Sequence, residues 1–231
     1  MKTGFIRALW GIYDKSNRLL ARRFRTDSDI ARIKRNKFNE PFVTYIMGRD
    51  NYTAFESNGL DCKLVCEEPQ VFDLIKYQYR NKIEIIKAAF EDGYDELVYL
   101  DWDCVPQKEL PSDFWDVMRA KGKFQACLQV YRRQQCFWRE FDRRKVPNGG
   151  FLYLGSKDII DEAVRVWDET GRHVNDEITW AKMTDAMMGG WQGIDAYWNN
   201  FEPHFCNLYK SSPHSKDLLK SKNECFIHYQ G

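Results

Sequence analysis

The sequence predicts a single α/β domain in which helices cover both faces of a mostly parallel central sheet. Short apolar runs of strand length alternate with segments of helical periodicity along most of the chain. The run Glu96–Leu100 is apolar after its first residue, as expected for a strand that is buried on both faces. Hydrophobic residues make up 43% of the 231 residues, which suffices for one compact core, and no repeat or linker divides the chain.

The first half of the chain is predicted to contain four strands, at Phe5–Ile12, Phe42–Met47, Lys63–Cys66 and Glu96–Leu100. Residues 16–37 are expected to form a loop and a helix, with Asp27 or Ser28 as the N-cap. A long helix is predicted from about Gln70 to Phe90, because its apolar residues recur at helical spacing. Gly93 follows at the C′ position, where a glycine commonly ends a helix.

The second half continues the alternation of helices and strands. Helices are predicted at Asp113–Ala120, Lys157–Glu169 and Asp176–Met187. Strands are predicted at Phe124–Val130, Phe151–Leu154 and Cys225–His228. This order of elements places the strands in one sheet and the helices on its two faces.

Composition narrows the setting in which the protein works. The N-terminus lacks the apolar core of a signal peptide, and no apolar run approaches the length of a membrane span. The seven cysteines are an odd number, and Cys62 and Cys66 have no second pair at the spacing of a structural zinc site. We therefore expect a reducing, cytoplasmic environment.

Two segments concentrate positive charge although the formal net charge is only +1. Lys15–Lys37 holds nine basic residues and two acids, and Tyr131–Lys145 holds six basic residues and two acids. Such runs are typical of solvated faces, and they are equally compatible with contact to an anionic substrate.

Asp101 and Asp103 are the strongest candidates for a functional site. They follow directly on the predicted strand Glu96–Leu100, and ligands of parallel α/β sheets bind beyond the carboxyl ends of the strands. A divalent cation that bridges carboxylates and a diphosphate would satisfy both acids. The alternative is a strand-end loop with solvated aspartates.

The segment DELVYLDWDCVP resembles the Asp-x-Asp motif of GT-A glycosyltransferases, most closely the glycogenin-like retaining family and small virus-encoded sugar transferases. Three further segments match that family in order and rough spacing: Asn148-Gly149-Gly150 before the strand FLYLG, the acidic pair Asp176-Glu177, and His228-x-x-Gly231. The resemblance implies one GT-A (Rossmann-like) domain over residues 1–231. In it, residues 1–110 mainly bind the nucleotide-sugar and residues 111–231 mainly bind the acceptor.

The resemblance also implies a metal site. Asp101, Asp103 and His228 would be the protein ligands, and Asp101 would also lie near the nucleotide ribose. Two carboxylates, an imidazole and phosphate oxygens suit Mn²⁺ best and Mg²⁺ second. The sequence departs from the family at Glu177, where glutamine is usual, and the family's Lys-Pro-Trp does not follow Gly231.

The resemblance assigns two further motifs to donor binding or catalysis, and each motif could instead have a purely structural role. Gly149 and Gly150 would let the backbone approach the donor sugar together with Asn148, or would form a simple β-turn. Asp176 and Glu177 would contact the donor sugar or deprotonate an acceptor hydroxyl, or would be acids that favour the start of a helix.

The remaining candidate donor contacts are aromatic or basic. Trp10, Gly11 and Tyr13 lie where a GT-A enzyme holds the nucleotide base, and an aromatic residue there is equally compatible with the core. Trp102, between the two aspartates, and Gly231 are assigned to the donor site. Arg80 and Lys82 are candidates for binding the diphosphate or the sugar, and a solvated helix face is the competing interpretation for at least one of them.

The second basic segment is assigned to the acceptor. Five arginines of Tyr131–Lys145 would hold an anionic acceptor such as a phosphorylated glycan or nucleic acid: Arg132, Arg133, Arg139, Arg143 and Arg144.

The resemblance thus implies a metal-dependent glycosyltransferase that moves a sugar from a nucleotide-sugar, expected to be linked to UDP, to a hydroxyl group. Retention is the expected outcome, although Asp176 and Glu177 would serve either stereochemistry. Two rival functions are a nucleotidyltransferase that acts on a sugar phosphate and a non-catalytic relative that binds nucleic acid. Release of pyrophosphate would favour the first, and salt-dependent DNA binding without turnover would favour the second.

Overall fold

The computed structural model describes residues 1–13, 16, 18–20, 27, 30–31, 33–34, 40, 42–72, 78–102, 104–106, 109–128, 147–170, 176–183, 206–210 and 226–230. Most of the helix predicted within residues 16–37, and the basic segment Tyr131–Lys145, lie outside these ranges. No helix in the part described is long and apolar enough to cross a membrane.

Eleven strands are described: β1 Thr3–Leu9, β2 Ile12–Tyr13, β3 Leu19–Leu20, β4 Phe42–Met47, β5 Cys62–Cys66, β6 Glu96–Leu100, β7 Cys104–Pro106, β8 Phe124–Leu128, β9 Pro147–Leu154, β10 Cys206–Lys210 and β11 Phe226–Gln230. Six of them form the main sheet, in the order β5-β4-β1-β6-β9-β8. The first four strands of this order are parallel, and β9 and β8 continue the sheet in antiparallel pairs. The predicted mostly parallel sheet is therefore confirmed, and the antiparallel pairs of β9 and β8 are an addition to the prediction.

A second, three-stranded sheet has the order β10-β11-β7. Its strand β7 begins four residues after β6 ends, so this small sheet is attached directly to the carboxyl end of the central strand. β2 and β3 form a separate antiparallel pair.

In the part of the chain that the structure describes, five helices with defined bounds pack on the main sheet: α1 Arg49–Glu56, α2 Arg80–Glu91, α3 Phe114–Ala120, α4 Lys157–Thr170 and α5 Glu177–Met183. Apolar residues of α2, α4 and α5 share one buried cluster with Ile6, Leu97 and Leu152 of the sheet. Residues of α3 and α1 pack on the opposite face, in clusters with Phe5 and Leu9 respectively. Because side chains alternate between faces along a strand, β1 contributes to the cores on both sides.

Helix α2 begins at Arg80, ten residues later than the sequence predicts. Gln78 has a positive φ of 50°, which is incompatible with a continuous helix through this point. The backbone N–H of Phe72 donates to the side-chain carbonyl of Gln78 at 2.8 Å. The helix ends as predicted, with Gly93 in the left-handed region at φ 88°.

Several further elements differ from the sequence prediction, among them strands β7 and β10, which it does not contain. Helix α1 was not predicted; it follows Gly48, whose φ of 103° allows the chain to leave β4 abruptly. Strand β1 ends at Leu9 rather than at Ile12.

The Asn148-Gly149-Gly150 segment lies within strand β9, so the alternative of a simple β-turn is wrong. Its pairing with β8 contains an irregularity: Ala126 pairs with Leu152, whereas the next residue of β8 pairs with Asn148. One step along β8 therefore corresponds to four along β9, and the extra length forms a large bulge. Bulges of this kind redirect residues from their regular positions in a sheet. This one lies beside the end of β6, where the carbonyl of Gly150 accepts the backbone N–H of Asp101.

Candidate active site at the carboxyl end of β6

Asp101 is fixed at the point where β6 ends. Its backbone N–H donates to the carbonyl of Gly150 in β9 at 2.8 Å, and its own carbonyl accepts the N–H of Cys104 at 3.0 Å. The second bond closes a tight turn from Asp101 to Cys104. The Asp101 side chain is 28% exposed, so the carboxylate is accessible to a ligand while its backbone is held on both sides.

A buried lysine joins the two acidic motifs. The Lys82 side chain, from the first turn of α2, is only 2% exposed. Its Nζ lies 3.0 Å from Asp176 Oδ2 and 3.4 Å from the Asp101 carboxylate, and it donates to the Gly149 carbonyl at 3.2 Å. Burial disfavours the charged form, but the two carboxylates outweigh it and hold the pKa of Lys82 above its ordinary value.

Asp176, directly before α5, is also buried, with its side chain 3% exposed. Besides Lys82, it accepts a hydrogen bond from the indole N–H of Trp180 at 2.8 Å, one turn along the helix. An ionised carboxylate at this depth requires such partners, because an uncompensated buried charge is strongly destabilising. The ammonium and the indole together fix one of its oxygens in place.

The neighbouring acid, Glu177, contacts the Asn148-Gly149-Gly150 motif. The side-chain amide nitrogen of Asn148 donates to the Glu177 carboxylate at 3.2 Å, and the side-chain oxygen of Asn148 accepts the backbone N–H of Gly150 at 2.9 Å. Asn148 therefore connects the start of α5 to the bulged part of β9, and Asp176 and Glu177 both lie against this strand.

Gly149 allows this close approach. A Cβ at this position would overlap the Asp176 carboxylate and lie 3.1 Å from Lys82 Nζ. No other residue type leaves room for the buried ion pair against the β9 backbone.

Three residues that the sequence reasoning missed support the site. Tyr99 donates its hydroxyl to the Asp101 carboxylate, Trp180 holds Asp176, and the ring of Tyr79 lies 5.5 Å from Lys82 Nζ. The first two follow simple spacings, since residues i and i+2 of a strand and residues i and i+4 of a helix lie on the same side. Burial raises the pKa of Tyr79, and its ring also contacts Trp10 at a centroid distance of 6.3 Å.

Gly11 and Tyr13, which the sequence assigns to the nucleotide base, follow β1 in the chain, and Trp102, which it assigns to the donor, contacts β1. Gly11 is buried, and a Cβ on it would overlap the side chain of Leu19. The backbone of Tyr13 pairs with Leu19 in the β2–β3 hairpin. Trp102 turns toward β1, and its indole N–H donates to the carbonyl of Ala8 at 2.8 Å.

Arg80 does not join the cluster, although it is only two residues from Lys82. Its guanidinium lies 2.7 Å from Glu84 on the same helix and 2.8 Å from Asp168 on α4. It also donates to the carbonyl of Val164 at 3.3 Å. These contacts connect α2 to α4 and leave the assignment of Arg80 to the donor site without structural support.

The pairing of β11 with β7 shows where the backbone of His228, one of the three predicted metal ligands, lies. β11 runs antiparallel to β7, with His228 opposite Cys104, the residue that directly follows Asp103 in the sequence. The small sheet thus brings the position of His228 next to the Asp101–Cys104 turn. Within the described residues no three metal-ligating side chains cluster, since Asp103 and the His228 side chain lie outside them. The donor set of two carboxylates and an imidazole fits a divalent cation.

Several predicted residues lie outside the described ranges, and the structure says nothing of them. They are Asp103, Gly231 and the five arginines of the second basic segment: Arg132, Arg133, Arg139, Arg143 and Arg144.

Comparison with known proteins gives a consistent result at the level of fold. No protein-family model and no curated protein sequence matches the chain. The galactosyltransferase LgtC, in complex with donor and acceptor sugar analogs, matches with a TM-score of 0.54 at 14% identity, covering 98% of this chain and 87% of that one. An active-site mutant of LgtC matches with the same TM-score at 15% identity and the same coverage.

Two more distant glycosyltransferases also match. The bifunctional enzyme WbbM gives a TM-score of 0.53 at 11% identity over 100% of this chain and 46% of its own. Mouse xyloside xylosyltransferase 1 gives 0.51 at 9% identity over 98% of this chain and 97% of its own. At such identities the likeness concerns the fold alone. The chain therefore has the GT-A fold of these glycosyltransferases, as its motifs predict.

Proposed function

We propose that this protein is a metal-dependent glycosyltransferase that moves a sugar from a nucleotide-sugar, linked to UDP, to a hydroxyl group of an acceptor. The observation that carries the proposal is the buried ion cluster of Lys82 with Asp101 and Asp176 against the Gly149 carbonyl. It joins three of the four sequence motifs at the carboxyl end of a central strand, where ligands of such sheets bind.

The charge of the cluster favours a cation. Two carboxylates and one ammonium leave a net negative charge, and Asp101 is the exposed member. Asp101, Asp103 and His228 would hold Mn²⁺ or Mg²⁺, which when bound would neutralise charge on a departing nucleoside diphosphate. The protein's own contribution is to fix Asp101 through Lys82, Tyr99 and the Gly150 carbonyl.

The donor sugar would lie against the bulge of β9. Asn148 and Glu177 are joined by a hydrogen bond there, and the buried Asn148 amide would hold the Glu177 carboxylate in place beside the sugar. We propose that Asp176 positions Lys82, and that Glu177, whose side chain is less buried, contacts the sugar. Retention of configuration is proposed from the motif resemblance, and NMR of the product anomer tests it, since an inverting enzyme would use Glu177 as a general base.

We further propose an anionic acceptor, such as a phosphorylated glycan or nucleic acid, which contacts the arginines between residues 131 and 145. Their charge supports this proposal. Replacing Arg132 and Arg133 by glutamine is expected to raise the KM for such an acceptor while leaving nucleotide binding unchanged.

The first test is thermal unfolding with Mn²⁺ and one of UDP, GDP, CDP, ADP or dTDP. A ligand that binds only the folded state at about 100 times its Kd contributes about 2.7 kcal/mol, which is a rise in Tm of several degrees. We expect this rise with UDP, and we expect Asp103→Asn to abolish it. The matched control is Asp116→Asn, at a side chain that is 81% exposed, and it should preserve the rise. No shift with any of the five nucleotides would refute the proposal.

The second test concerns the reaction. Many transferases slowly transfer sugar to water, so a panel of nucleotide-sugars with Mn²⁺ is expected to reveal hydrolysis of one donor without an acceptor. Release of pyrophosphate from a nucleoside triphosphate and a sugar phosphate, in place of hydrolysis, would instead identify a nucleotidyltransferase.

A further inference from the structure

Arg7 is a buried cation in the middle of β1, 1% exposed. It lies on the sheet face that α1 and α3 cover, between the apolar cluster of Phe5 and that of Leu9. The carbon of its guanidinium is 4.6 Å from the ring centroid of Phe42 and 5.2 Å from that of Trp102. Such distances are within the range of cation–π attraction, which offsets part of the cost of burying the charge.

Arg7 also contacts the turn that carries the acidic motif. Its Nη2 donates to the carbonyl of Cys104 at 3.3 Å, at the end of the Asp101–Cys104 turn. The next residue of β1, Ala8, accepts the indole N–H of Trp102 at 2.8 Å. Two consecutive residues of β1 therefore hold the turn, one through its side chain and one through its backbone.

Packing alone does not explain an arginine at this position. An apolar side chain of similar length would fill the space between the two clusters, and replacing buried ionic groups by such side chains is often neutral or stabilising. An apolar residue cannot supply the hydrogen bond to the Cys104 carbonyl or the cation–π contact with Trp102, and both of these partners belong to the Asp101–Cys104 turn. The guanidinium therefore adds contacts to the turn that packing of the core does not require.

We propose that Arg7 is a positioning residue that fixes the Asp101–Cys104 turn in the conformation that receives a divalent cation. This inference rests on the proposed function. It assigns to β1, a strand that carries none of the four motifs, a direct role in shaping the site.

The test compares Arg7→Met and Arg7→Lys with the wild-type protein. The matched control is Thr44→Val, at the buried β4 partner of Arg7, which alters the same region of the core without touching the turn. Free Mn²⁺ is measured by electron paramagnetic resonance during titration with each protein, alone and with UDP, and Tm is recorded without ligand. The affinity and the stability are thus read separately.

The direction of the change in Mn²⁺ affinity shows whether Arg7 positions the turn or acts only through its charge. Removal of a nearby positive charge by itself strengthens binding of a cation. If Arg7 positions the turn, Arg7→Met instead weakens Mn²⁺ binding by about tenfold or more, a loss of about 1.4 kcal/mol. Arg7→Lys keeps a charge and a donor and should recover part of this loss, and Thr44→Val should bind as the wild type does.

Every outcome decides the proposal. Unchanged or tighter Mn²⁺ binding by folded Arg7→Met protein overturns it, as does an equal loss in Thr44→Val. If Arg7→Met does not fold, weakened binding by folded Arg7→Lys supports the proposal and wild-type binding overturns it. Failure of both Arg7 variants to fold assigns Arg7 to stability alone. A wild-type protein that binds neither Mn²⁺ nor Mn²⁺ with UDP refutes the proposed function itself.

Discussion

Lys82 determines how the acidic motifs are arranged, because one buried ammonium contacts both Asp101 and Asp176. Neither aspartate alone indicates this from the sequence, since the two lie 75 positions apart in the chain. The cluster is therefore preorganised: the lysine holds both carboxylates through contacts within the chain itself, and the proposed donor would not need to reorganise them.

Lys82→Met tests this arrangement. The substitution leaves two carboxylates facing each other without a cation, and we expect the free energy of unfolding to fall by about 3–5 kcal/mol. Urea denaturation measures it. Lys157→Met is the control, since Lys157 makes only a half-exposed ion pair with Asp161, and its cost should stay below about 1 kcal/mol.

The pH dependence of the Lys82→Met effect follows from the direction of the shift. The pKa of Lys82 is raised in the folded protein, so its contribution is complete below the unfolded pKa of about 10.4 and is lost only as pH rises toward the folded value. The stability difference between wild type and variant should therefore remain constant from about pH 6 to about pH 9. A difference that shrinks within this range would mean that Lys82 loses its proton there.

Gly149→Ala tests the close approach of β9 to the ion pair. The added methyl would overlap the Asp176 carboxylate, and we expect a loss of about 1–3 kcal/mol in urea denaturation, together with weaker nucleotide binding. Gly4→Ala is the control, because the atoms nearest to its new Cβ belong to the partly exposed Tyr94 side chain and not to a buried ion pair. Equal costs in the two variants would show that Gly149 has no special role.

At the scale of elements, helix α2 uses two faces for two purposes. Lys82 is directed to the strand ends, whereas Arg80 connects α2 to Asp168 and the Val164 carbonyl of α4. Successive helical residues are rotated by about 100°, so residues two positions apart face nearly opposite directions. Basic residues close together in a sequence therefore need not share a ligand.

Arg80→Met is expected to separate these roles. Loss of its charged hydrogen bonds should lower the free energy of unfolding by about 1.5–3 kcal/mol, while nucleotide affinity should stay within about twofold of wild type. Isothermal titration with the nucleotide and Mn²⁺, run beside Lys82→Met, measures the affinity. A tenfold loss in Arg80→Met protein with wild-type stability would return Arg80 to the donor site.

The elements also show what the sequence was able to predict. Strands β4 and β6 were located to the residue, because a buried parallel strand is a continuous apolar run with sharp ends. The predicted start of α2 was wrong. Apolar residues recur at helical spacing on both sides of Gln78, but the backbone φ of Gln78 is positive. The bulge of β9 was unpredictable because it depends on the register with β8, a tertiary property.

At the scale of the whole molecule, the proposed site is assembled from both halves of the chain. Residues 1–110 supply Lys82 and Asp101, and residues 111–231 supply Asn148, Gly149 and Asp176. The sheet has the same property, since β6 pairs with β1 on one side and with β9 on the other. A division into a nucleotide-binding half and an acceptor-binding half thus describes which ligands each half would contact, and not two folding units.

A fragment ending at residue 110 should consequently neither fold nor bind nucleotide. Without β9 the central strand β6 becomes an exposed edge, and without α4 and α5 the apolar face of α2 loses its cover. Lys82 and Asp101 would also lack Asp176. We expect circular dichroism of the fragment to show no cooperative unfolding, and the Mn²⁺-dependent rise in Tm with UDP to return when residues 111–231 are co-expressed with it. If the fragment alone unfolds cooperatively and binds the nucleotide, the donor site is built by the first half, and the ion cluster with Asp176 is not needed to form it.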